Sequence, residues 1–389
     1  MAGTIVTDRI ESDATYASSI ELASPVLVSN TFTTTAGVNT NTLDVTAGVT
    51  ANTLVVNGNN ISATNSMMFR NRIINGDMRI DQRNAGAALT VNALATFFAV
   101  DRWYGFGQAT DGVYTLQQNT TAPAGFTNSI KATVTTADAS LSATNVYGIQ
   151  QRIEGFNVAD LGWGTANAQP ITVSFWVQSS VTGSFGARVA NGAANRSYPF
   201  SYTISAANTW EYKTVTIPGD TTGTWLTTNG IGISLIFSLG VGSDFTGTAN
   251  TWAAADYIAP TGSVNLMATL NATFYLTGVQ LEAGSVATPF ERRPYGTELA
   301  LCQRYYARTS AYSGLTGTGA ELSGVVYGSV PMRAAPTLTA VVQEGGPTAL
   351  SGLDQPNNNT NAICRWWVNS GSKGSPGYII WNGTASAEL

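Results

Sequence analysis

Short alternations of apolar and polar residues, cut by clusters of Gly, Asn, Pro, Ser and Thr, run through most of this chain, and that pattern predicts strands. Between residues 30 and 61 it recurs three times at a period of eleven, as NTFTTTAGVNT, NTLDVTAGVTA and NTLVVNGNNI. In the second unit Leu43 and Val45 share one face while Asp44 and Thr46 take the other; Leu54 and Val56 repeat the set in the third, and Phe32 with Thr34 is a weaker first version. Because eleven is odd, an unbroken strand would turn the next apolar face outward. The Ala-Gly-Val steps at 36–38 and 47–49 must therefore supply a bend that restores the phase. One such unit has too little apolar surface to offset its own ordering entropy, so identical stripes from other chains about a symmetry axis are the expected cover. Residues 30–67 are expected to be a short fibrous shaft and linker, with Phe32, Leu43, Val45, Leu54 and Val56 as its core.

Before the repeats, residues 1–29 mix charge (Asp8, Arg9, Glu11, Asp13, Glu21) with short apolar pieces. They read as a docking segment, as the first turn of the shaft, or as partly disordered. From Met68 aromatics and longer alternations begin. Asn75-Gly76-Asp77, between two apolar arms, predicts a hairpin within 69–84. Strands are expected at Ile171–Val177, Ser184–Val189, Tyr198–Ile204, Trp210–Ile217, Ile231–Leu239 and Ala272–Leu281, most of them separated by turn residues. Many strands at short spacing, with no sustained helical period, predict a two-sheet jelly-roll sandwich over 68–296. The best helix candidate is 297–308, where Leu299, Cys302 and Tyr306 recur at helical spacing behind Thr297 as a cap. Strands resume at Leu322–Val330, Thr337–Val342, around Cys364–Val368 and at Tyr378–Trp381, giving a small β domain over 297–389. The fold class is all-β: a repeat shaft, a jelly-roll sandwich, and a C-terminal β domain with one short helix.

Composition sharpens this picture. Only 11% of the 389 residues are charged, against roughly a quarter in ordinary soluble proteins, so solubility rests on Thr, Ser, Asn and Gly. Net charge is −5 without a basic run, which argues against nucleic acid as a partner. The first residues lack a basic-then-apolar signal, and the longest apolar run, near Ile231 to Val241, is broken by glycines and is far below the roughly 20 residues a spanning helix needs. No membrane insertion and no secretion signal are expected. Two cysteines, Cys302 and Cys364, are too few for a disulfide scaffold; two buried thiols or one bridge between them are both open.

Candidate chemistry is sparse. The absence of His removes the commonest general base and metal ligand, and no phosphate-binding or nucleophile-elbow pattern stands in a strand-to-helix context. No cofactor and no metal are expected. Glycoside hydrolysis needs only two carboxylates, and the nearest pairs are Asp77 with Asp81, Glu154 with Asp160, and Glu282 with Glu291. Asp77 in a turn is expected to bond backbone amides, and Glu282 and Glu291 to form salt bridges with Arg292 and Arg293. The expectation is a protein that is not an enzyme. Binding is the stronger reading, since sugar sites pair an aromatic face with amides or carboxylates. Trp366, Trp367, Tyr378, Trp381 and Asn382 offer that mixture. Adjacent Trp366 and Trp367 point to opposite strand faces, so one needs a reason outside the core: ligand stacking, a subunit contact, or plain half-exposure. Trp103, Trp163, Trp176, Trp210, Trp225 and Trp252 read as core or loop packing, and Asp101-Arg102-Trp103 as an ion pair packed under an indole.

The segments NRIINGDMRIDQRN (71–84), Asp101-Arg102-Trp103 and FYLTGVQLEAGSVATPFERRPYGTELALCQRYY (274–306), with PMRAAPTLT (331–339) and Ala387-Glu388-Leu389, resemble tailed-bacteriophage tail fibre or receptor-binding proteins of the cyanophage or marine-phage type. The resemblance covers most of the chain, in motifs that look like structural joints. It implies a homotrimeric virion fibre, made in the host cytoplasm and mounted on a phage tail or baseplate protein by its N-terminus. Its middle domain would be like a carbohydrate-binding module, and its C-terminal domains would adhere to a host cell-surface glycan. The alternatives are a virion connector or decoration protein without a glycan ligand and, further off, a capsule-degrading glycosidase.

Overall fold

The computed structural model describes residues 54–56, 59–61, 69–93, 95–107, 111–315, 322–327, 330–345, 352–354, 362–368 and 377–389, with the backbone alone for 54–56, 59–61, 309–315, 322–327, 340–345, 352–354, 362–368 and 377–383. Phe32, Leu43 and Val45, and the stacking of the first two repeats, lie outside the described residues. The third repeat is an antiparallel pair, β1 (Leu54–Val56) with β2 (Asn59–Ile61), in which Leu54 lies opposite Ile61 and Val56 opposite Asn59.

Four strands, β3 (Leu89–Val91), β4 (Phe97–Val100), β5 (Trp103–Gly107) and β6 (Val113–Asn119), precede a core of eight. These are β7 (Ser129–Thr136), β8 (Val146–Glu154), β9 (Ile171–Ser179), β10 (Gly183–Ala190), β11 (Ser197–Ile204), β12 (Glu211–Ile217), β13 (Ile231–Val241) and, after the two-residue ladder of β14 (Thr246–Gly247) with β15 (Ala259–Pro260), β16 (Thr273–Ala283). One sheet has the order β11-β10-β13-β8-β5-β4 and the other β12-β9-β16-β7-β6-β3. Apart from the β10–β11 hairpin, successive core strands cross between the sheets, so that β8, β10, β11 and β13 interleave with β7, β9, β12 and β16, which is the jelly-roll winding. Each six-strand sheet is that four-strand half extended by β5-β4 or by β6-β3.

Period-two alternation places Ile171, Val173, Phe175 and Val177 of β9 against Ile233, Leu235, Phe237 and Leu239 of β13, all buried in one continuous core. Phe175 meets Phe237 edge-on at 4.9 Å between ring centroids. The expected strands form with boundaries shifted by a residue or two; β3 to β8, absent from the expectation, complete both sheets.

The hairpin expected in 69–84 does not form. This segment runs between the sandwich and the C-terminal helix as turns, and neighbouring side chains satisfy its backbone. Asn75 Nδ2 donates to the carbonyls of Ile80 (2.8 Å) and Asp101 (2.9 Å), the Ile80 amide donates back to Asn75 Oδ1, and Gln151 bonds both main-chain groups of Ile74. Gly76 is required there, because a Cβ would stand 2.2 Å from the Val279 carbonyl oxygen.

The helix α1 spans Tyr295–Gln303, behind Pro294 at the cap position, so Thr297 lies inside it and caps nothing. Tyr306 is not helical. It opens β17 (Tyr306–Leu315), opposite Ser386, because a sheet ladder captures the backbone that the spacing assigned to a helix. Cys302 is buried and free, packed with Ile74, Ile80 and Tyr305, and burial pushes its thiol well up. Beyond β17 come β18 (Leu322–Tyr327), β19 (Thr337–Gly345), β20 (Gly352–Asp354), β21 (Ala362–Val368) and β22 (Gly377–Ser386), in two three-stranded sheets of order β17-β22-β19 and β18-β21-β20. Ion pairs tie the ends of this region to the sandwich. Arg304 donates to Glu154 at 2.8 Å, and Glu388 takes both Arg83 and Arg102. Arg102 therefore pairs with Glu388 and stacks 3.6 Å from the Tyr305 ring, while Asp101 faces Gln82 and Arg83, so the expected pairing within Asp101-Arg102-Trp103 is replaced by contacts to other elements. No helix among the described residues is long and apolar enough to cross a membrane.

Candidate functional site

The outward face of the sheet containing β8 carries a groove of about 350 Å³. Strand register builds it. Tyr104 of β5 lies opposite Gln150 of β8, Gln150 opposite Ile236 of β13, and Ile236 opposite Arg188 of β10, so four side chains stand in one row across four strands. One step along, Arg152 lies opposite Ser234. One wall is apolar: Val146, Ile236 and Ile258 with Phe106 and Phe245.

The polar groups are linked and largely buried. Tyr104 Oη donates to Gln150 Oε1 (2.5 Å), and Gln150 Nε2 donates to Ser234 Oγ (2.5 Å). Arg152 lies 5.2 Å from the Tyr104 ring centroid and donates to the Leu389 main-chain oxygen at 2.6 Å. Arg188 is 5% exposed; its Nη1 donates to Asp256, whose side chain is 41% exposed at the rim, and its Nε is buried without a partner. Burial lowers Arg188 to about 10, with the Arg152 guanidinium adding to the shift, so it stays charged at neutral pH. Burial also raises the Tyr104 phenol, which remains a hydrogen-bond donor. An aromatic and aliphatic wall facing a row of amide, hydroxyl and guanidinium groups is the combination that holds a ring whose two faces are apolar and whose edge carries hydroxyls.

A second surface lies on the outward face of the other sheet. Trp176 and Tyr212 stand opposite each other on β9 and β12 with ring centroids 5.4 Å apart. Phe126 and Phe290 meet edge-on beside Gly278, and Arg292 lies 4.5 Å over the Phe126 ring, around an opening of about 670 Å³. Arg292 thus stacks on rings, unlike the salt bridge expected of it. Trp176 is half-buried on this surface and so is not core. Trp103 is fully buried and donates to the Asn75 carbonyl, and Trp163, Trp225 and Trp252 pack edge-on as a cluster.

The five residues expected to bind ligand fall on two different sheets. Trp366 and Trp367 occupy β21 opposite Gly324 and Ser323, while Tyr378, Trp381 and Asn382 occupy β22 opposite Gly314, Ala311 and Ser310. The ladders do not join them into one row. The candidate carboxylate pairs are engaged elsewhere. Asp77 pairs with Arg79, and it is Asp81 that accepts backbone amides, from Arg83, Asn84 and Gly86. Asp160 pairs with Arg72 at 2.5 Å; Glu282 accepts from Thr288, and Glu291 from the amides of Phe69 and Asn71. Of the expected salt bridges, Arg293 lies 3.5 Å from Glu291 and makes its closer pair with Glu298, at 3.2 Å.

Tyr104, Gln150, Arg152, Arg188, Ser234 and Asp256 were not singled out by sequence. One available sign was Arg188 inside GSFGARVA, a charge within an otherwise apolar strand; another was the Gln-Gln-Arg run of β8. Among the described residues no group of three or more Cys, Asp or Glu is placed to hold a metal ion.

No protein-family model matches the chain, and no curated protein matches it. Among solved structures it is similar to a putative sugar binding protein from Bacteroides thetaiotaomicron, at 12% identity over 55% of this chain and 100% of that one, with a TM-score of 0.32. It is also similar to the family 11 carbohydrate-binding module of a Clostridium thermocellum cellulosomal cellulase, at 14% identity over 52% of this chain and 99% of that one (TM-score 0.27). The enzymatically active domain of bacteriophage CBA120 tailspike protein 4 is matched at 10% identity over 55% of this chain and 22% of that one (TM-score 0.29). These matches are too distant to bear on individual residues, and the jelly roll stands on its own strand order.

Proposed function

We propose that this protein binds a glycan in the groove of the β11-β10-β13-β8-β5-β4 sheet, and that it does so as a homotrimeric tail fibre that attaches a phage to its host surface. The observation that carries the binding reading is the register row Tyr104, Gln150, Ile236 and Arg188, which sets linked polar groups beside an apolar wall in a groove of about 350 Å³. Single sugar contacts are weak, and three copies on one fibre would raise avidity by effective concentration alone. The fibre context, with docking on a tail or baseplate protein through the N-terminus, rests on the repeats and on the family-like segments. The same reading makes the protein a non-catalytic binder, supported by the engagement of the candidate carboxylates with cations, hydroxyls and amides.

A glycan array probed with the full chain tests this. Retention of a glycan that Gln150→Ala abolishes and Trp176→Ala leaves intact supports the groove. Retention that Gln150→Ala does not change rejects it. The oligomeric mass in solution tests the fibre separately: three chains are expected, and a monomer contradicts it.

A further inference from the structure

Resting on the groove reading above, we infer that the ligand is an acidic sugar whose carboxylate takes the place of the Asp256 carboxylate on Arg188. Three charged residues line the groove, Arg152, Arg188 and Asp256, so cations outnumber anions there in a chain of net charge −5. Burying a guanidinium is unfavourable unless it is paired and hydrogen-bonded. Arg188 is nineteen-twentieths buried, yet its Nε has no partner and its single carboxylate comes from a half-exposed rim residue. A neutral hydroxyl-rich ligand does not need a buried cation.

Arg152 sits on β8 and Arg188 on β10, with β13 between them and one register step of offset, so their Cα positions are separated by about 12 Å from strand spacing and rise. Two long side chains at that separation can converge on one pyranose lying over Gln150 and Ile236. Asp256 shows the chemistry that Arg188 accepts: a carboxylate, held here by Nη1 alone, which leaves the rest of the guanidinium fork open to a second carboxylate oxygen. Because the incoming carboxylate replaces the one that leaves, Arg188 stays paired through the exchange, and Asp256, whose side chain is already 41% exposed, returns to water. The side chain of Asp256 then turns to solvent, and Arg188 Nη1, released from it, engages the ligand together with the unpartnered Nε.

The test uses the full chain with polygalacturonate, alginate and hyaluronate oligosaccharides, each beside its carboxyl-reduced neutral form, in calorimetric titrations. At least one uronate is expected to bind ten-fold or more tighter than its reduced form. Arg188→Gln should erase that difference. Asp256→Asn should raise uronate affinity several-fold and widen the preference for the uronate over its reduced form, a gain that misfolding cannot mimic. Equal or tighter binding of the reduced forms overturns the inference while leaving the groove as a site for neutral glycans. Absence of binding to every uronate also overturns it, and the groove reading is then judged separately by the Gln150→Ala array.

Discussion

The two outward faces of the sandwich come from the same alternation and end differently. On one, register lines up Tyr104, Gln150, Ile236 and Arg188 beside an apolar wall that includes Phe245 and Ile258, and a guanidinium is buried with a free Nε. On the other, Trp176, Tyr212, Phe126 and Phe290 form an open aromatic surface with Arg292 over it. The aromatic face is the one a search for sugar-stacking rings would choose. Physical chemistry favours the first. Half-exposed rings are tolerated on any surface at little cost, whereas a buried polar row persists only where something compensates it.

The largest expected contrast is in binding. Gln150→Ala should weaken glycan affinity ten-fold or more, and Trp176→Ala should change it less than two-fold, both read by titration of the array hit; the reverse ranking would move the site to the aromatic face.

Stability should differ next, because the sheet that bears the groove also has Asp101, at the turn into β5, whose carboxyl burial pushes up to about 6 against the opposing pull of Gln82 and Arg83. Its folded-state value lies above its unfolded one near 3.8, so its contribution is fully present below about pH 4 and is lost as pH rises through 6. Between pH 4 and 7.5 wild type should lose on the order of 2–3 kcal/mol that Asp101→Asn does not lose, measured by denaturant titration at both pH values.

Smaller again, Tyr104→Phe strands the Gln150 carbonyl oxygen and should cost about 1–3 kcal/mol in the same assay. Tyr212→Ser on the open face should stay within about 0.5 kcal/mol. A similar cost at both positions would erase the distinction between a built groove and an incidental surface.

How far the sequence disclosed this depends on the kind of pattern. β9, β10, β11 and β13 could be placed because their alternation was clean and turn residues bounded them. The helix was placed but ran too far, since Leu299, Cys302 and Tyr306 share a spacing that a helix and the start of β17 both accommodate. The 69–84 turn region was misread because Asn-Gly-Asp marks a tight turn without saying whether a ladder or side chains such as Gln151 and Asn75 will satisfy the backbone. The groove was out of reach for a different reason. Gln150, Arg188 and Ser234 lie on three strands 38 or more positions apart in pairs, and only register joins them. Trp366 and Trp367, by contrast, are adjacent in sequence and legible as a pair without any knowledge of register.

The most direct test of the central claim is amide hydrogen exchange on the full chain with and without a saturating array-selected glycan. The account predicts new protection in β5, β8, β10 and β13 and in the loop around Asp256, with β9 and β12 unchanged. Protection confined to β9 and β12 around Trp176 and Tyr212, or to β21 and β22, would contradict it.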